Sequence, residues 1–457
     1  MFQLPPPRRI HLVGAGGSGM APLGSILLTM GHRVSGSDQA PSARLDRLKM
    51  LGADVRVGHA PDQVADAEVV VASTAVDAAN PEVVAALRAG LPVLRRADAL
   101  AALCRQRRTL AVGGTHGKTT TTAMVATVLR QAGMAPSFLV GGDVPALDGG
   151  ASWDTGEWFV VEADESDGTF LELGAEAVVL TSVEPDHLDH HGDFDALRRA
   201  FARFLADAPG PRVVCIDDPG AAALALGPEC LTYGTDERAR YRLQDVVLGR
   251  ASVAFSLIDG RSPLGRLEVP MPGLHNARNA AAAAVSALAL GADFGAVRAG
   301  LAGFGGVARR YEWRGEAAGV TFVDSYDHLP GEVAAVLGAA RDGHWRRIVC
   351  VFQPHRFTRT AALWREFAGA FDDADVLAVT DVYAAGQPPI AGVSGKLIVD
   401  AVLDARPWRR VAWLPALRDV SAWLLAELRP GDLCLTLGAG DLTTLPDEVR
   451  SALASRS

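Results

Sequence analysis

Two glycine loops carry the most chemistry in this chain. The first, Val13-Gly14-Ala15-Gly16-Gly17-Ser18-Gly19-Met20, follows the apolar run Ile10–Val13 and leads into a helical stretch, with Gly14, Gly16 and Gly19 in Gly-x-Gly-x-x-Gly spacing. Glycine there permits a tight turn and close backbone approach, and a helix N-terminus offers unpaired N–H groups to an anion, so the segment reads as a diphosphate cradle. Asp38, in Ser35-Gly36-Ser37-Asp38, lies where an acidic residue could meet a ribose. Alone this loop is weak testimony, since glycine also serves helix–strand packing. The second, Gly113-Gly114-Thr115-His116-Gly117-Lys118-Thr119-Thr120, sits between an apolar strand and a helix expected to reach about Ala132. Its tail is the Gly-Lys-Ser/Thr of a P-loop, in which backbone amides hold phosphates, Lys118 neutralises β/γ charge and the Thr119 hydroxyl can ligate Mg2+. The first glycine of the usual spacing would fall at Val112, so the loop is a shortened form.

Two acidic segments follow, Val161-Glu162-Ala163-Asp164-Glu165-Ser166-Asp167 and Ser182-Val183-Glu184-Pro185-Asp186-His187-Leu188-Asp189-His190-His191. Both end expected parallel strands, where open α/β sheets place their ligands. Carboxylates with one imidazole suit Mg2+ bound partly through phosphates, and Glu162 and His187 are the candidates. Further on, Gln353-Pro354-His355-Arg356-Phe357-Thr358-Arg359 directly follows a strand, and its two arginines could fork onto a carboxylate.

The elements that must position these loops form an α/β chain. Short apolar runs recur before glycine-rich or acidic turns and alternate with alanine- and leucine-rich helical stretches, the pattern of parallel βα units. Strands are expected near Ile10–Val13, Arg33–Ser35, Val69–Ala72 and Pro92–Leu94, then at Thr109–Val112, Trp158–Glu162, Ala177–Thr181 and Arg212–Ile216. A hairpin turning at Asp259-Gly260 and a helix after Asn276 follow. A last series is expected at Val320–Val323, Ile348–Phe352, Val376–Thr380, Val411–Leu414 and Leu433–Thr436. The 457 residues exceed one core, and three domains are expected: a Rossmann-like one over 1–107, a P-loop one over 108–307 and a second open parallel sheet over 308–457.

Composition excludes several classes. Hydrophobic residues make up 49% and charged ones 21%, and no apolar run reaches the roughly 20 residues of a membrane-spanning helix. A net charge of −9 leaves no broad basic footprint for nucleic acid. The five cysteines are far apart with no Cys-x-x-Cys pair, so buried free thiols are expected rather than zinc or disulfides. The first residues lack the basic, apolar and small-residue order of a secretory leader, and a cytoplasmic protein is expected.

Taken together and in this order, the motifs resemble the Mur ligase family over nearly the whole chain, and His11–Met20 is similar to its alanine-adding member. The resemblance implies that the first domain holds the UDP part of UDP-N-acetylmuramate, the central domain binds ATP, and the C-terminal domain closes over both and helps bind L-alanine. By position it implies that Gly14, Gly16, Gly17, Ser18, Gly19, Asp38 and His190 bind the sugar nucleotide. Gly114, Thr115, His116, Gly117, Lys118, Thr119 and Thr120 would hold the ATP phosphates, with Asn276 and Asn279 on the adenine side. Thr119, Glu162 and His187 would hold Mg2+, Arg310 would lie on the ATP side, and Tyr326, His328, Arg356 and Arg359 would form the amino-acid pocket. Lys118, Glu162, His187 and Arg310 are thereby the catalytic candidates. The implied reaction passes through an acyl phosphate on the lactyl carboxylate, and a monomer or weak homodimer is expected.

The chain departs from the family pattern in two segments. The motif Asp-Asp-Tyr-x-His-His-Pro-Thr-Glu appears here as Asp324-Ser325-Tyr326-Asp327-His328-Leu329-Pro330-Gly331-Glu332, and Ser182 stands where asparagine is common. Rival readings are a ligase for a ready-made murein tripeptide, a non-catalytic UDP-sugar-binding paralogue, and a nicotinamide oxidoreductase using the first loop alone.

Overall fold

The computed structural model describes residues 7–225, 227 and 229–455, with the backbone only of Leu188 and Asp189. The run Met1–Pro6, read above for a leader, lies outside the described residues. Three sheets carry the structure. The first holds β1 (Arg9–Val13), β2 (Arg33–Asp38), β3 (Asp54–Val57), β4 (Val69–Ala72) and β5 (Val93–Arg95), all parallel in the order β3-β2-β1-β4-β5. In this doubly wound order the connections leave β1 in opposite directions, opening a crevice at its carboxyl end where the first glycine loop begins.

The second sheet has ten strands. They are β6 (Arg108–Gly113), β7 (Ser137–Leu139), β8 (Ala151–Ser152), β9 (Trp158–Glu162), β10 (Ala177–Leu180), β11 (Arg212–Cys215), β12 (Cys230–Gly234), β13 (Tyr241–Leu248), β14 (Val253–Asp259) and β15 (Ser262–Val269). Their order is β15-β14-β13-β12-β11-β10-β6-β9-β7-β8, so β6, which carries the P-loop, lies at the centre between β10 and β9. Its Leu110, Ala111 and Val112 are 0–1% exposed, as a strand covered on both faces requires. The third sheet holds β16 (Glu312–Ala317), β17 (Val320–Ser325), β18 (Arg347–Phe352), β19 (Val376–Val379), β20 (Val411–Trp413) and β21 (Asp432–Leu437), in the order β16-β17-β21-β18-β19-β20. Only β16 runs antiparallel to its neighbour.

The chain divides into two compact units. One comprises Met1–Gln244, Ser256–Leu267 and Arg278–Gly305, the other Asp245–Phe255, Glu268–Ala277 and Gly306–Ser457. The five cysteines are free and buried. Among the described residues no helix is long and apolar enough to cross a membrane. The hairpin turns where expected, with Gly260 at φ +58°. The alanine-rich helix spans Leu274–Ala289 and so begins before Asn276, not after it. Gly273 at φ +94° makes the bend that lets it start early.

Candidate active site

The first glycine loop is held from below by β2. The amides of Gly14 and Ala15 donate to Ser37 O at 2.9 and 2.8 Å. Gly14 has φ +80°, and a Cβ there would meet Ser73 Cβ at 3.0 Å, so both conformation and space demand glycine. Gly19 ends the loop at the N-terminus of helix Met20–Thr29, with Arg96 Cδ 3.0 Å from where a Cβ would stand. Asp38 Oδ2 accepts from Gly16 N at 2.8 Å, so its carboxylate braces the loop itself. Gly17 borders a cavity of about 420 Å3 beside the loop, and Ser18 is exposed.

The second loop is strapped by the segment after β10. Thr115 N donates to Ser182 O at 3.0 Å, His116 N to Ser182 Oγ at 2.9 Å, and Glu184 N to Thr115 Oγ1 at 2.9 Å. The Thr181 hydroxyl donates to His116 O at 2.5 Å. Serine at 182 therefore supports the loop through its hydroxyl. Gly114 (φ +131°) and Gly117 (φ +77°) make the turns, and helix Lys118–Gln131 follows, with Thr120 buried in its first turn. Asn279 is buried against this loop, its Oδ1 accepting from Thr121 Oγ1 at 3.3 Å. Asn276 instead donates to Pro272 O at 2.8 Å.

Lys118 Nζ donates to Gly114 O at 2.6 Å, Thr115 O at 3.2 Å and Glu165 Oε1 at 2.9 Å. Burial works against its charge, but Glu165, Asp164 and Glu162 outweigh it and raise the ammonium above its ordinary value. Glu165, 1% exposed, was missed as a partner in the sequence; its Oε2 is buried and unbonded. The Thr119 hydroxyl donates to Glu162 Oε1 at 3.0 Å, and Gly141 N to Glu162 Oε2 at 2.8 Å. His187 adopts φ +51° with Nε2 3.4 Å from Asp186 Oδ2. Asp164 is lowered despite burial, by Lys118, Ser166 and His187. Among the described residues no group of three or more His, Cys, Asp or Glu forms a metal cage. The donors at hand are a hydroxyl and carboxylates at a phosphate loop, a set suited to Mg2+ completed by phosphate oxygens and water. His190 is exposed, its ring edge-on to His191 at 4.8 Å.

In the other unit, the carboxyl ends of β17 and β18 gather a chain of rings and cations. Arg309 and Arg310 lie over Tyr326 at 5.1 and 5.2 Å, Tyr326 meets His328 at 5.5 Å, and His328 meets His355 at 5.4 Å. His355 stacks on Tyr383 at 5.9 Å and accepts at Nδ1 from Arg359 Nη1 at 3.1 Å. Tyr326, His328, Arg310 and Arg359 are thus brought together, with Arg356 beside them at the start of helix Phe357–Leu363. The sequence did not reveal Asp327. Its carboxylate lies 3.7 Å from Arg310 and accepts from the Ser325 hydroxyl, which in turn accepts from Tyr311 N at 2.9 Å. Asp324 is spoken for by Thr436 and Thr443, at 2.6 and 2.7 Å. Asp327 thus faces Arg310, while Asp324 meets Arg309 at 3.4 Å.

Burial, then the nearby His328, Arg359, Arg356 and Arg309, push His355 down to about 3 from an ordinary 6.5. A histidine held neutral in the fold but free to charge when unfolded draws protons to the unfolded chain. Its contribution to stability is whole above about 6.5 and is lost as pH falls towards 3. The urea midpoint should therefore drop between pH 7.5 and 5, and His355→Gln should flatten that slope. An equal slope in the variant would show that His355 does not stay neutral.

Residues 9–108 match the description "Mur ligase family, catalytic domain", 112–287 "Mur ligase middle domain" and 309–440 "Mur ligase, glutamate ligase domain". A UDP-N-acetylmuramate–L-alanine ligase of Agrobacterium fabrum is 44% identical over 457 residues, covering 97% of each chain. One of Myxococcus xanthus is 46% identical over 449 residues, covering 97% of this chain and 95% of its own. Among solved structures, a UDP-N-acetylmuramate-alanine ligase of Thermotoga maritima is similar with a TM-score of 0.84 at 28% identity, over 98% of this chain and 100% of that one. A murein peptide ligase of Psychrobacter arcticus shares the fold, with a TM-score of 0.70 at 22% identity.

Proposed function

The chain belongs to the Mur ligase family, and from that premise we propose that it joins L-alanine to the lactyl carboxylate of UDP-N-acetylmuramate, converting ATP to ADP and phosphate in peptidoglycan precursor synthesis. The observation that carries this is the identity of 44% and 46% to alanine-adding ligases over at least 95% of both chains. We assign 1–107 to the UDP part, 108–307 to ATP and 308–457 to the amino acid, a division that the three sheets support.

The surroundings of each residue support the following roles. The loop Gly114 to Thr120 would wrap the phosphates, with the amides of Thr115 and His116 held by Ser182, and the charged Lys118 stabilises the γ-phosphoryl as it moves to the lactyl oxygen. Thr119 and Glu162, 3.0 Å apart, are the oxygen donors that would hold Mg2+, with His187 at the next strand end. When bound, the ion would neutralise developing phosphate charge. The acyl phosphate is then attacked by the alanine amine, and phosphate leaves. Arg356 and Arg359 take the alanine carboxylate, Tyr326 and His328 shape the pocket, and Arg310 is assigned to ATP handling, its charge steadied by Asp327.

Phosphate release by the purified chain with ATP, Mg2+ and UDP-N-acetylmuramate should depend on L-alanine. Release that depends on a murein tripeptide instead, or needs no amine, would refute the assignment.

A further inference from the structure

Beneath the first glycine loop lies a buried polar group that phosphate binding alone does not explain. Glu82 is 0% exposed. Its Oε2 accepts from Ser37 Oγ at 2.5 Å and lies 3.1 Å from His59 Nδ1 and 3.6 Å from His11 Nε2, while Oε1 accepts from Ala60 N at 3.3 Å. Burial opposes ionisation of this carboxyl, but the nearby His11 and the hydrogen bonds of Ser37 and Ala60 outweigh it, and it stays below its ordinary value. Nature thus places an anion in the core, backing two imidazoles.

Only one of the two reaches the cavity beside the loop. His11 is 1% exposed, with Nδ1 2.9 Å from Ser35 Oγ. His59 borders the cavity of about 420 Å3 that Gly14 and Gly17 also line. Its Nδ1 faces two acceptors, Glu82 Oε2 and Ser37 Oγ, at 3.1 and 2.9 Å, and so carries hydrogen. Its Nε2 has no protein partner among the described residues. The cavity wall includes two carboxylates, Asp38 and Asp77, and no lysine or arginine. Both acids already accept backbone amides, Asp38 from Gly16 at 2.8 Å and Asp77 from Ala79 at 2.7 Å. Arg96 lies at the other end of the loop, against Gly19.

A diphosphate entering this cavity adds negative charge to a wall that is already acidic, and His59 is the one side chain there able to become cationic. We propose that the pocket takes up a nucleoside diphosphate together with a proton, which His59 carries at Nε2 over the buried Glu82 carboxylate. The inference rests on the reading that this domain holds the UDP part of the substrate. A carboxylate behind one imidazole nitrogen together with an anion at the other favours the charged form of the ring. The alternative is a neutral ring whose Nε2 accepts a hydrogen bond from ribose or base, with no proton taken up.

Calorimetry of UDP binding to the full chain, in buffers of different ionisation enthalpy at pH 7.5, separates the two. The expected result is an uptake of about half a proton or more per UDP, with affinity falling by up to about tenfold per pH unit from pH 7 to 9. His59→Gln should still bind UDP but without uptake and with a flat pH dependence, and binding of a non-hydrolysable ATP analogue should report that the variant is folded. Binding to the native chain without uptake, or uptake that survives His59→Gln, overturns the proposal and leaves the domain assignment standing. No UDP binding to a chain that still binds the ATP analogue overturns that assignment and the proposal with it.

Discussion

Phosphate release by a Lys118→Met protein should fall by about three orders of magnitude, the scale on which preorganised charge at a transferring phosphoryl acts. Lys118 is the cation of the P-loop, and three carboxylates keep it charged in spite of burial. Its ammonium is shared among Gly114 O, Thr115 O and Glu165 Oε1, so meeting a phosphate requires an exchange of partners, with Glu165 the strongest competitor. The substitution alone would confuse two effects. Glu165 would remain as a buried carboxylate without its cation, a cost of about 3–5 kcal/mol. The double variant Lys118→Met, Glu165→Gln removes that cost and should recover the melting temperature but not turnover. If the double variant regained a tenth or more of native kcat, Lys118 would be a structural cation and its placement in the phosphoryl transfer would be wrong.

Glycine spacing and apolar runs located β1, β6, the turns after them and most parallel strands, because strands buried on both faces advertise themselves as continuous Val, Ile and Leu runs. Elements exposed to solvent left no such trace. Strand β3, Asp54–Val57, and strand β16, Glu312–Ala317, are polar edges with little or no buried face, and periodicity did not mark them. The same division holds in the site. Lys118, Thr119 and Glu162 belong to local motifs, whereas the pairing of Lys118 with Glu165 depends on how the segment after β9 folds back, 47 positions away. Asp327 is hidden differently. A family pattern directs attention to Asp324, and the hydroxyls of Thr436 and Thr443, distant in sequence, together with Arg309 at 3.4 Å, show that this carboxylate is already satisfied.

Arg356→Ala and Arg359→Ala should each raise the KM for L-alanine by about a hundredfold, as expected for charge-assisted hydrogen bonds worth about 2–3 kcal/mol. The KM for ATP should stay within about twofold, because the arginines are read as gripping a carboxylate and not the nucleotide. Lysine should rescue poorly at either position, since a point charge cannot reproduce the guanidinium fork. Arg356 allows a sharper test. Its backbone sits at φ +66°, ψ 134°, fixed by its own amide donating to Tyr383 O at 2.8 Å and by Thr360 N donating to its carbonyl at 3.0 Å. A side chain in that conformation costs about 1–3 kcal/mol, and such strain is retained where it aims a functional group. Arg356→Gly should therefore lose alanine binding as fully as Arg356→Ala yet melt at a higher temperature than it. Equal melting temperatures would mean that the bend stores no strain, and an unchanged KM for alanine in both variants would remove Arg356 from the pocket.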